Sequence, residues 1–166
     1  MIKPNRWRRV LAAGATVAAL FAMSGCSESL SQEEPGSKFA SESEKAGAAM
    51  QTQQAAYPSD ATEIPVLWIN GSSVTLTFGE SWSLEKQNGE EWEQVNESGQ
   101  DVAFRLIGYP VKPGETRQHT YHPSTYASRL EVGRYRIVTS CSEGQGDSLQ
   151  TYMLTAEFDV TEDENA

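Results

Sequence analysis

Cysteine is scarce in this chain. Only Cys26 and Cys141 occur among 166 residues, so a framework stapled by several disulfides is excluded. Histidine is equally rare, at His119 and His122, which leaves little material for a histidine-rich metal centre or a Cys–His catalytic pair. Positive charge is thin, with 13 Lys and Arg against 23 Asp and Glu and a formal net charge of −10. Such a balance argues against binding nucleic acid or anionic lipid head groups through a basic patch. No apolar run reaches the roughly 20 residues that a spanning helix needs. A nucleophile elbow, a phosphate loop, a zinc motif and a calcium loop are all missing, and no acid/base pair stands out. An enzyme is therefore not expected, and no cofactor or metal is assigned.

What the sequence does have begins at its N-terminus. MIKPNRWRR is a basic stretch, and VLAAGATVAALFAM (Val10 to Met23) is an apolar core too short to stay as a membrane span. The small residues of SGC follow, completing the layout of a cleaved secretory signal over residues 1–25. Met23-Ser24-Gly25-Cys26 resembles the lipobox of bacterial lipoproteins, with Met at a position where Leu is commoner. The resemblance implies cleavage between Gly25 and Cys26 and a diacylglycerol on the Cys26 sulfur. The alternative is an ordinary cleaved signal followed by a chance cysteine. Two acyl chains hold a protein stably on a membrane, so Cys26 is expected as an anchor on the extracytoplasmic face of the cell membrane. Cleavage removes Lys3, Arg6, Arg8 and Arg9 but no acid, leaving nine basic against 23 acidic residues, a formal charge of −14. Cys141 is then without a partner in the chain and is expected as an inert thiol.

Residues 26–45 are rich in Ser and Glu and poor in aliphatics, which predicts a flexible tether reaching about 25 Å. Ser41-x-x-Glu44 offers a short capped helix as the competing expectation. From residue 46 to about 160 the texture becomes short period-2 segments broken by turn residues. Ile64, Val66 and Trp68 alternate up to Asn70-Gly71. Val74, Leu76 and Phe78 alternate up to Gly79, and Trp82 and Leu84 alternate up to Asn88-Gly89. Val102, Phe104 and Leu106 read as another strand, and Tyr135 and Ile137 lead a further one. Tyr152, Leu154, Ala156, Phe158 and Val160 alternate most cleanly, and residues 161–166 form an acidic tail. The pattern predicts an all-β antiparallel sandwich or barrel.

Two stretches, WINGSSVTLTFGESWSLEKQNGEEWEQV and LIGYPVKPGETRQHTYHPSTYASRLEVGRYRIV, resemble the bacterial immunoglobulin-like domain common in lipoproteins of Gram-positive bacteria. The shared elements are a strand ending in Asn, a Leu-Glu-Lys strand followed by Gly and Trp, a Pro-Gly before a strand, and Leu-x-x-Gly-x-Tyr-Arg. Val132 departs from the family, which often has Pro there. The resemblance implies an immunoglobulin-like β-sandwich over residues 46–160, a first strand from Met50 to Gln54, and no catalytic residue.

Candidate site residues follow from residue type. Leu130, Gly133 and Tyr135 suggest a tyrosine corner, in which a phenol hydroxyl ties a strand entrance to upstream backbone. Trp68 and Trp82 fall on apolar faces and are expected in the core. Trp92 follows two acids beyond a turn, where exposure is expected. With Tyr109, Tyr121 and Tyr126 it would form a ring platform for sugars or peptides. His119 and His122 lie three apart, on opposite faces of a strand, and so do not suit one ion. The expected role is display of a non-catalytic domain to an unidentified envelope or extracellular protein, with no nucleic acid as partner. A cell-wall glycan module and an inhibitor of an exported hydrolase are the alternatives.

Overall fold

The structure is a computed structural model that describes residues 35–162. The signal segment, the Gly25–Cys26 junction and the last four residues of the acidic tail lie outside that range. In chain order the elements are α1 (Pro35–Ala46), β1 (Ala48–Thr52), β2 (Ala56–Pro58), β3 (Ile64–Asn70), β4 (Leu76–Asn88), β5 (Glu91–Gln94), β6 (Gly108–Val111), β7 (Thr116–Tyr121), β8 (Gly133–Glu143) and β9 (Gln150–Thr161). One sheet has the order β1-β3-β7, the other β2-β9-β8-β4-β5, with β6 also paired to β4. These are the A-B-E and G-F-C layers of an immunoglobulin-like sandwich. Among the described residues all pairs are antiparallel except β2 with β9, which is parallel and departs from the expected antiparallel pairing.

Alternation builds the core. Ile64, Val66 and Trp68 on β3 face Leu76, Phe78 and Leu84 on β4 and Ile137 and Leu154 on β8 and β9, all fully buried. Leu154, Ala156, Phe158 and Val160 form the buried face of β9 as their spacing predicts. Asn70 ends β3 as a buried bracket. Its amide donates to the carbonyls of Val74 and Val111, both at 2.8 Å, and its oxygen accepts from the Ser72 amide at 2.9 Å. The Asn70-Gly71 turn therefore carries the chain from one sheet to the other. Asn88-Gly89 does close a hairpin: Asn88 pairs with Glu91 across a two-residue loop in which Gly89 takes the positive φ of 64°.

Several expectations are corrected. The tether expected as flexible up to residue 45 is helical from Pro35 to Ala46. Proline opens it, as its fixed φ favours, and Gly47 ends it at φ 60° with its amide bonded to the Glu44 carbonyl. Ser41 lies inside this helix and not at its start. Composition alone did not reveal the helix because tertiary contact supports it. Glu42 accepts the Met153 amide on the outer edge of β9, and Phe39 lies against the Arg136 guanidinium. The first strand runs Ala48–Thr52, two residues earlier than expected. The two segments expected around Phe78 and Trp82 are one strand, β4, continued through an irregularity where the register to β8 slips. Val102, Phe104 and Leu106 form no strand. The outer edge of β4 is already paired to β6 and β5, so Val102 and Phe104 pack against the core from a loop and Leu106 points into solvent.

Candidate functional site

The ring residues separate once their surroundings are known. Tyr121 is buried, with Trp68 Nε1 donating to its hydroxyl at 3.2 Å, and burial raises that hydroxyl's pKa well above the usual range. Tyr126 is buried too, and its hydroxyl donates to the Trp82 carbonyl. Trp92 is half-buried on β5, and the Arg136 guanidinium covers its ring at 4.3 Å. The same guanidinium lies 4.7 Å from the Phe39 ring and is held by Glu85, with Nε to Oε2 at 2.6 Å. Tyr109 on β6 is half-buried as well, packed against the core beside Trp68, with the Arg117 guanidinium over its ring at 5.0 Å. Trp92, Tyr109, Tyr121 and Tyr126 thus form no common platform. The physical reason is register: Tyr121 alternates onto the inward face of β7, and Tyr126 fills the space beside the irregular stretch of β4.

Tyr135, fully buried at the start of β8, donates its hydroxyl to the Glu131 carbonyl at 2.9 Å, four residues upstream. Gly133 and the buried Leu130 shape the turn before it. This bond lets a large ring enter the core without stranding its polar atom. Beside it lies a groove of about 330 Å³ rimmed by Lys86, Glu93, Glu97, Arg129 and Glu131. Two of its carboxylates are held from within the chain, one by a cation and one by a backbone amide. Lys86 meets Glu131 at 2.5 Å, which raises the lysine's pKa and lowers the glutamate's. The Ser128 amide donates to Glu97 at 2.7 Å and lowers that carboxyl's pKa.

His119 and His122 do not meet at a common point. His119 stacks on Trp68 at 4.4 Å, while Nδ1 of His122 lies 3.2 Å from the Thr62 carbonyl. Burial holds the His119 pKa below its ordinary value, helped by Arg117 and His122 and opposed by Glu80. Among the described residues, no group of three or more His, Cys, Asp or Glu could hold a metal. Cys141 faces inward on β8, and burial, with Glu143, pushes its thiol up to about 11, which disfavours the nucleophilic thiolate.

A different surface emerges at the side of the sandwich where β6 and β7 lie. Among the described residues each pairs on one side only, β6 with β4 and β7 with β3. Pro110 denies β6 one backbone donor, a feature that blunts strand addition and leaves side chains to do the recognition. Leu106 is fully exposed and Ile107 exposed, just before β6. Tyr109 and His119, both half-buried, come from the two facing edges with centroids 5.5 Å apart. Glu80, in the irregular stretch of β4, is near enough for its charge to act on His119. Alternation does mark it: Leu76, Phe78, Trp82 and Leu84 are apolar in steps of two, and Glu80 interrupts that spacing.

Among the described residues no helix is long and apolar enough to cross a membrane. Comparison with functionally curated proteins finds no match. The family described as bacterial Ig-like domain matches residues 44–159, which is most of the chain and takes in both sheets. With its two layers, its tyrosine tie at the entrance of β8 and this match, the chain belongs to the bacterial Ig-like domain family.

Proposed function

We propose that this chain is a lipid-anchored envelope protein whose Ig-like domain is a non-catalytic module for contact with another envelope or extracellular protein. The observation that carries the contact is the open β6–β7 side. Leu106 and Ile107 are exposed there next to two singly paired strands and two half-buried rings. Exposed apolar side chains grouped at one place, flanked by polar groups, are what a partner's surface buries. Support for the anchor comes from Met23-Ser24-Gly25-Cys26 behind a basic and apolar leader. A glycan platform loses support from the burial of Tyr121 and Tyr126 and the covering of Trp92.

The test is recovery from chemically crosslinked envelopes using the full chain. Saturable recovery of one protein, lost in the Leu106→Asp/Ile107→Asp double variant with its unfolding midpoint unchanged, is the expected result. Equal recovery by the double variant would overturn the proposed surface. Retention on purified wall glycan, abolished by Trp92→Ala, would favour the glycan reading instead.

A further inference from the structure

Among the described residues, the edges of both sheets are guarded with one exception. β2 is three residues long and ends in Pro58, and β5 is four residues long and carries Glu91 and Glu93. β6 contains Pro110, and β9 is covered by α1 and β2. β1 lies against β9, where Thr52 Oγ1 donates to the Glu157 carbonyl at 3.2 Å. Shortness, proline, charge and covering elements all blunt an edge. β7 runs for six residues without proline, and no strand of the described residues pairs with its outer edge.

Register decides which groups that edge presents. The Asn70 amide donates to the Glu115 carbonyl at 3.0 Å, and these residues stand opposite each other one step beyond the Ile69–Thr116 pair. Bonded pairs recur at every second residue of an antiparallel ladder. The backbone of Arg117, His119 and Tyr121 is therefore bonded to β3, opposite Trp68, Val66 and Ile64. Thr116, Gln118 and Thr120 turn their amides and carbonyls the other way, to the free edge. Access is open there, since Thr116, Arg117 and Gln118 are exposed.

Charge selects what fits beside those groups. Residues 102–122 carry Arg105, Lys112 and Arg117 against a single acid, Glu115, in a chain that is acidic elsewhere. Glu115 is engaged already, accepting the Lys112 amide at 2.9 Å. Arg117 alternates onto the inward side of β7 over the Tyr109 ring, and among the described residues it makes no ion pair. Glu80, the other acid on this side, keeps one carboxylate oxygen buried. An inward-pointing charge turns away an apolar strand. It accepts a strand that sets the opposite charge across from it.

We propose that an extended segment of the partner protein adds to β7 as a fourth strand, with a carboxylate side chain set against Arg117. Backbone bonds to Thr116, Gln118 and Thr120 hold the segment, and the acid selects it. The guanidinium fork takes a carboxylate through two parallel bonds. A second copy of β7 fits poorly, because it brings two Arg117 side chains to one ladder. This inference rests on the protein-contact reading of the β6–β7 side and names how the partner is held there.

The probe is a capped peptide of alternating Glu and Val, titrated into the isotope-labelled full chain. A Lys/Val peptide and a Glu/Val peptide N-methylated throughout are the controls. NMR should show saturable shifts and slowed hydrogen exchange at the Thr116, Gln118 and Thr120 amides, with neither control producing them. Arg117→Gln, with its unfolding midpoint unchanged, should weaken the Glu/Val peptide by about tenfold. Arg117→Glu should transfer the response to the Lys/Val peptide. No slowed exchange in the unaltered chain, an equal response to the Lys/Val peptide, or a response to the N-methylated peptide would each overturn the proposal. Two further outcomes keep the readings apart. If the peptide fails while partner recovery still depends on Leu106 and Ile107, strand addition falls and the contact surface stands. If the peptide protects β7 while the Leu106→Asp/Ile107→Asp variant recovers its partner as before, the proposed contact surface falls and strand addition stands.

Discussion

Tyr135 and Arg136 are adjacent on β8 and point to opposite faces, and each carries a testable cost. The Tyr135 hydroxyl bond to Glu131 links the strand to the turn before it, so Tyr135→Phe should lower stability by about 1 kcal/mol in denaturant unfolding. Arg136 is buried between two rings and paired with Glu85, whose side chain is only 20% exposed. Removing it strands a poorly solvated carboxylate, and Arg136→Ala should cost about 3 kcal/mol, the lower end for a buried pair. His119 gives a pH signature. Burial depresses its folded-state pKa below the unfolded value of about 6.5, so the unfolded chain takes up a proton first as pH falls. Its contribution is complete above that pH and is lost progressively below it. Between neutral pH and pH about 5 the unfolding midpoint should fall more steeply in the unaltered chain than in His119→Phe, which keeps the stack on Trp68. Sequence reading reached Tyr135 because its spacing from Leu130 and Gly133 is local. It could not reach Arg136, since the two rings that clasp it come from α1 and β5, far away in the chain.

Helix α1 shows how an element can hide from composition. PGSKFASESEKA has almost no apolar stripe, and its support comes from β9 and from the outer face of β8. The helix covers part of the outer edge of β9, which β2 pairs only from Asp159 onward. A sheet edge left bare would invite pairing with another chain. Hydrogen exchange checks this: Glu42→Ala should speed exchange at the Met153 amide and leave the amides between β8 and β9 protected. Unchanged protection at Met153 would remove the helix from that role. The strands themselves were readable wherever period-2 alternation ran unbroken, as on β3 and β9. Alternation misleads around β4, because the slip between Phe78 and Trp82 and the competition for the outer edge of β4 are properties of pairing. Alternation in Val102, Phe104 and Leu106 has no ladder to join: the first two touch the core in part and Leu106 not at all.

For the molecule as a whole, the layers and the family match place an Ig-like domain behind a leader whose processing the sequence alone suggests. Mass spectrometry of the mature N-terminus should find diacylated Cys26, and Cys26→Ala should release the protein from the membrane fraction. An unmodified start elsewhere would contradict the anchor. The role in contact stands on a surface that no linear motif announces: β6, β7 and the irregular part of β4 meet only after both sheets are assembled. Site-specific photocrosslinking in intact cells separates this surface from ordinary exposure. A crosslinking side chain is placed at Leu106, and at Leu149 as an equally apolar, exposed comparison distant in sequence. A single adduct of defined mass from position 106 and none from 149 is the predicted result. Equal adducts from both positions, or none from 106, would contradict a protein-binding edge at β6 and β7.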